Sequence, residues 1–86
     1  MPCVALIPGG VRIEMYPGDH PPPHFHARHG GDVAKFRISD LTIFKGSLPP
    51  ATERLVKAWA GQSNRQQALA LNWVLCEMLQ MPRNIP

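Results

Sequence analysis

Gly30-Gly31 constrains this chain more than any other dipeptide, because a turn there fixes the register of the two segments that flank it. A two-residue hairpin turn needs positive φ, which glycine adopts without steric cost. Reversal at this point pairs His29 with Asp32, Ala27 with Ala34 and Phe25 with Phe36 on one face. The other face then carries Arg28 with Val33, His26 with Lys35 and His24 with Arg37. A slip of one residue would destroy both the aromatic pair and the sorting of charge. His24–His29 and Asp32–Ser39 therefore read as a β-hairpin with an apolar side and a cationic side.

The segments before the hairpin are strand-like too. Val4–Ile7 is a short apolar run stopped by Pro8-Gly9-Gly10. Val11–Tyr16 alternates strictly, with Val11, Ile13 and Met15 on one side and Arg12, Glu14 and Tyr16 on the other, the period of a half-buried strand. Pro17-Gly18 breaks it. Pro21-Pro22-Pro23 favours a stiff, extended polyproline connection with His20 at its entrance. Leu41–Lys45 reads as one more short strand.

The back half is helical. Pro49 or Pro50 suits the first turn of helix one, Leu55, Val56 and Trp59 form its stripe, and Gly61 is a stop. Ser63 or Asn64 can cap helix two, which is expected to run to about Gln80, with Pro82 ending it. Leu69, Leu71, Trp73, Val74, Leu75, Met78 and Leu79 make that helix apolar over much of its circumference, so it is either central to the fold or half of a partner interface. The expected architecture is α+β: an antiparallel sheet of three to five short strands with two C-terminal α-helices on one face, in one domain spanning 1–86.

Eighty-six residues bury a thin core, roughly 60–65% of the unfolded surface, so association into a homodimer or with a second small protein is expected to relieve it. Nine Lys+Arg against six Asp+Glu give a net charge of +3, a mild bias toward polyanions. Cys3 and Cys76 show no ligand spacing; Cys76 reads as a buried thiol in a reducing compartment and Cys3 as a terminal residue. MPCVALIPGG lacks the basic start and apolar run of a signal peptide, and no stretch reaches the roughly 18 apolar residues of a membrane span. The expectation is a cytoplasmic protein with no membrane contact.

All four histidines, His20, His24, His26 and His29, fall within ten positions. Three chemistries compete for them. The first is a polyanion site: His24, His26, Arg28, Lys35 and Arg37 share a face, and Tyr16 or a histidine could stack on unpaired bases. The second is a metal-independent nuclease, with His24 and His26 as general base and acid, His20 a third candidate, Arg37 or Lys35 steadying charge, and Asp19 or Glu14 orienting a ring. The third is a divalent metal held by His24 and His26 and completed by His20, Asp19 or Glu14, opposed by the cost of a cation near Arg28, Lys35 and Arg37. The bland alternative is that the rings only pin the Pro21–Pro23 loop. By parity His29 faces the core side opposite Asp32 and reads as structural; Trp59 and Trp73 read as core or interface.

Asp19-His20-Pro21-Pro22-Pro23-His24-Phe25-His26, the Gly turn, Leu48-Pro49, Trp59 and Asn72-Trp73 resemble, across nearly the whole chain, the bacterial family called domain of unknown function 4160. The resemblance implies a small stand-alone protein encoded beside a second small protein, an arrangement similar to a toxin–antitoxin pair. The motif residues it carries over are Asp19, His20, Pro22, Pro23, His24, Phe25 and His26. Arg65-Gln66-Gln67-Ala68 is less acidic than the resemblance implies, which removes any partner contact through acidic residues there. Taken together, the expectation is a toxin–antitoxin-like protein acting on RNA. His20, His24 and His26 are its site, and Arg28, Lys35, Arg37 and Tyr16 its nucleic-acid contacts. A non-catalytic binding module is the rival reading, and no cofactor other than a divalent metal is in view.

Overall fold

The computed structural model describes residues 2–86, in five strands followed by two helices. The strands are β1 (Cys3–Ile7), β2 (Val11–Glu14), β3 (His24–His29), β4 (Asp32–Arg37) and β5 (Ile43–Gly46); the helices are α1 (Pro50–Ala60) and α2 (Ser63–Glu77). Every pairing is antiparallel and the spatial order is β1-β2-β3-β4-β5, so each strand lies beside its sequence neighbours. Among the described residues no helix is long and apolar enough to cross a membrane.

The β3–β4 hairpin pairs as its parity requires, from His29 with Asp32 to His24 with Arg37. Gly30 supplies the positive φ of the reversal, 58°. Phe25 and Phe36 stack with ring centroids 5.3 Å apart and planes within 1°, both fully buried. They join Val11, Ile13, Ala27 and Ala34 from the sheet and Val56, Ala60, Leu69 and Cys76 from the helices in one hydrophobic cluster. The helices are thus the second layer over the apolar side of the sheet, the cover such a sheet needs.

Several local expectations need correction. β5 starts at Ile43 rather than Leu41, because Leu41 sits at φ 61° in the turn that precedes it. The Pro21–Pro23 segment bends instead of running as an extended polyproline stretch, and the Pro21–Pro22 peptide is cis. Neither Ser63 nor Asn64 caps α2; both lie in its first turn, and Gln62 occupies the cap position without a side-chain hydrogen bond. The helix also stops short of Pro82. Leu79 adopts φ 59°, Leu79 N–H donates to the Cys76 carbonyl and Gln80 N–H to the Leu75 carbonyl, a Schellman ending built on leucine where glycine is usual.

Past α2 the chain returns to the sheet. Ile85 is buried and its N–H donates to the Val4 carbonyl at 2.7 Å. The return is held by Asn72, a buried amide on α2 whose Nδ2 donates to the Arg83 carbonyl and whose Oδ1 accepts from Arg83 N–H, both at 2.8 Å. Removing a group that satisfies two backbone partners costs roughly 1–3 kcal/mol. Asn72→Ala is expected to lower unfolding free energy by about 2 kcal/mol in urea titrations and to accelerate amide exchange at Ile85. A variant with wild-type midpoint and slope would show that the return segment contributes nothing to the fold.

Candidate functional site

The loop between β2 and β3 reaches α2, where Gly18 N–H donates to the Cys76 carbonyl at 2.9 Å. Gly18 has φ 76°, and a Cβ there would meet the Leu79 side chain at 3.2 Å, so the close approach depends on glycine. This anchor places Asp19 over the start of β3. Its Oδ1 accepts the His20 backbone N–H at 2.9 Å, which turns Oδ2 toward the polar side of the sheet.

Two imidazoles converge on that oxygen. His24 Nε2 and His26 Nε2 each lie 3.0 Å from Asp19 Oδ2. The rings stand 5.1 Å apart, and Tyr16 meets His26 edge-on at 4.8 Å. His24 is not presented to solvent as the hairpin parity alone suggested: it keeps the polar side but is 3% exposed. Phe44 and Trp73, each 5.3 Å from its ring, bury it. Phe44 reaches this side because β5 carries a bulge between its Lys35 and Phe36 pairings, the kind of irregularity that re-aims a side chain.

His24 Nδ1 lies 2.7 Å from the Pro22 carbonyl, which can only accept, so Nδ1 carries the proton and donates. In the neutral ring Nε2 is then a lone pair, and it has no hydrogen-bond partner although it is buried. His26 Nε2 donates to Asp19 instead. Burial would raise the Asp19 pKa, but the His26 hydrogen bond, the His20 N–H and the nearby His24 outweigh it and hold the carboxyl below its ordinary range. Burial depresses His26 most strongly; the Asp19 hydrogen bond opposes it, and His24 and Lys35 add to the depression.

A second cluster lies beside the first. Glu14 is buried on the polar side, where its Oε1 accepts the Tyr16 hydroxyl at 2.7 Å and Arg28 Nε at 3.4 Å, and Arg12 Nε lies 3.5 Å from Oε2. Tyr16 and Arg28 are therefore engaged with Glu14 rather than free to swing toward a base or a phosphate. Arg37 donates to the Thr42 hydroxyl at 3.2 Å and lies over the Phe44 ring at 4.9 Å. Among the described residues Lys35 makes no ion pair; it faces His26 across one strand pair and Lys45 across the other.

The structure thus brings His24, His26 and Asp19 together and leaves His20 exposed, with only its backbone N–H in the cluster. His29 pairs opposite Asp32 beside the turn, remote from that cluster. Asp19 was one of several options in the sequence, whereas Phe44, Trp73 and Lys45 were not picked out as part of the site. No hydrophobic pattern announces the β5 bulge that directs Phe44 and fixes Lys45 against Lys35. Two imidazoles aimed at one oxygen, one of them sealed, do not flank a phosphodiester as a general base and a general acid must. The cluster is suited to holding a cation, and the neighbouring sheet to holding an anion.

The profile of the family described as Domain of unknown function (DUF4160) matches residues 10–74, from the start of β2 into α2 and including the whole Asp19–His26 block. The chain belongs to that family. No curated protein and no solved structure matches it.

Glu14 offers a check on the electrostatics. Burial raises its pKa, but the Tyr16 hydroxyl, then Arg28 and Arg12, overcome that and hold it below the ordinary value of 4.5. A carboxyl depressed in the folded state adds stability at pH values above its unfolded pKa, and that stability is lost as pH falls through the folded pKa. Glu14→Gln is expected to cost about 1.5 kcal/mol at pH 7 and to show a shallower loss of stability below pH 4.5. Parallel acid limbs for the two proteins in urea melts would contradict this account.

Proposed function

We propose that this chain binds RNA through the polar side of its sheet, as one member of a toxin–antitoxin-like pair of small cytoplasmic proteins. The observation that carries the reading is Lys35 directly opposite Lys45, with neither ammonium paired to a carboxylate. Like charges opposed across two strands repel and destabilise a sheet, and a phosphate between them converts that cost into affinity. Arg12, Arg28 and Arg37 extend the cationic surface along the same side, with Glu14 taking up part of the charge of the first two. Binding is favoured over cleavage because His24 is sealed and both imidazoles address one carboxylate.

Single-stranded RNA is expected to bind with a slope of log K against log salt of roughly −0.7 per phosphate engaged. Lys35→Ala and Lys45→Ala should each weaken binding across sequences and flatten that slope by about 0.7, as measured by fluorescence anisotropy from 50 to 300 mM salt. Affinity indifferent to ionic strength, or unchanged in the double variant, would refute the reading.

The partner half rests on α2. Leu71, Val74 and Met78 are 55%, 47% and 60% exposed, an apolar stripe at helical spacing on an otherwise folded surface. No acidic residue lies in the first turn, so apolar contact rather than charge would carry the interface. Val74→Asp is expected to abolish co-purification with the small protein encoded alongside while leaving the circular dichroism spectrum intact. Co-purification undiminished by that change would move the interface elsewhere.

A further inference from the structure

The geometry points to a binding site for a first-row divalent metal ion, with zinc(II) as the reference, formed by Asp19 Oδ2, His24 Nε2 and His26 Nε2. This inference does not rest on RNA binding. The three ligand atoms lie within 4.8 Å of one another, and both nitrogens are 3.0 Å from the oxygen. Ligands around a tetrahedral zinc ion with bonds of about 2.0–2.1 Å stand roughly 3.3 Å apart, so each nitrogen moves slightly away from the oxygen and the two nitrogens draw together to accommodate the ion. Two imidazoles and one carboxylate are a donor set that first-row divalent ions accept, with coordination positions left over. His26 binds as its Nδ1–H tautomer, giving up the Nε2 proton that it donates to Asp19 in the metal-free site.

A close cluster alone would be weak grounds. The decisive feature is His24. Its Nδ1–H donates to the Pro22 carbonyl, the arrangement by which backbone groups orient ligating histidines. In the neutral ring that bond fixes the tautomer and leaves the buried Nε2 as a lone pair. In that state the lone pair stands beside a carboxylate oxygen at 3.0 Å, an arrangement that is repulsive until a proton or a metal cation occupies the gap. Phe44 and Trp73 close off the ring and deny it water as a substitute partner.

The objection from nearby positive charge also weakens. No lysine or arginine pairs with Asp19, so its full charge faces the two nitrogens. Arg12 and Arg28 are partly neutralised by Glu14. Lys35 remains the one cation opposite His26, and it sets the affinity rather than the existence of the site. Of the third ligands the sequence offered, His20, Asp19 and Glu14, the geometry selects Asp19.

The full chain, purified without a polyhistidine tag or nickel resin and stripped with chelator, should be titrated with cobalt(II). One equivalent is expected to bind, with visible d–d absorption that zinc(II) abolishes by displacement. Asp19→Asn and His26→Gln, checked for folding by circular dichroism, should each weaken cobalt binding at least about tenfold, since even outer-shell changes cost 10–100-fold. Because His24→Ala removes a buried ring, His24 is better read in the unaltered protein. Long-range proton–nitrogen spectra should show zinc moving the Nε2 signals of His24 and His26 and leaving those of His20 and His29 in place. No uptake of either ion, uptake that survives both variants, or signal changes confined to His20 or His29 would overturn the assignment.

Discussion

The reversal at Gly30 governs the rest of the molecule, because it decides which side of the sheet every residue of β3 and β4 occupies. Side-chain parity in a strand leaves no intermediate option. Once His29 stands opposite Asp32, the stacked Phe25 and Phe36 must face the helices, and His24, His26, Lys35 and Arg37 must face away. The hydrophobic cluster that unites sheet and helices is the energetic reason this register holds against its neighbours. The chemistry of the opposite side is a by-product of that same choice.

The polar side is nevertheless not uniformly wet. Near the turn it is open and cationic; at the other end the β2–β3 loop, the β5 bulge and Trp73 of α2 converge on His24. An imidazole enclosed by two aromatic rings is costly unless its nitrogens find partners. Pro22 satisfies one nitrogen, while the other lies beside Asp19 without a hydrogen bond. The Asp19–His24 block, which lies within the family match, therefore has a physical logic in this chain: the loop supplies both the carbonyl that orients a ring and the carboxylate that faces it.

Much of this was legible in the residues. The alternation in Val11–Tyr16, the Gly-Gly turn and the proline-led first helix specify their elements locally, and the fold agrees with them except that β2 ends at Glu14, two residues before Tyr16. The features that escaped are those determined at a distance. Burial of His24 requires Phe44 and Trp73, which come from different elements and meet only in the assembled domain. The early end of α2 depends on Leu79 taking a conformation usually reserved for glycine, so no residue type signals it. His20 looked equivalent to its neighbours because spacing cannot tell which ring a bend turns outward.

The bond between Ile85 and Val4 joins the two extremities of the described chain. As the polypeptide emerges from the ribosome, β1 can pair with β2 at once, but the Val4 carbonyl must wait for a segment synthesised after both helices. Contacts of such long sequence separation form late, since chain entropy must be spent before they repay it. The margin of the sheet at β1 is therefore closed only by the residues beyond α2, so finishing the first strand and docking the last segment are one event.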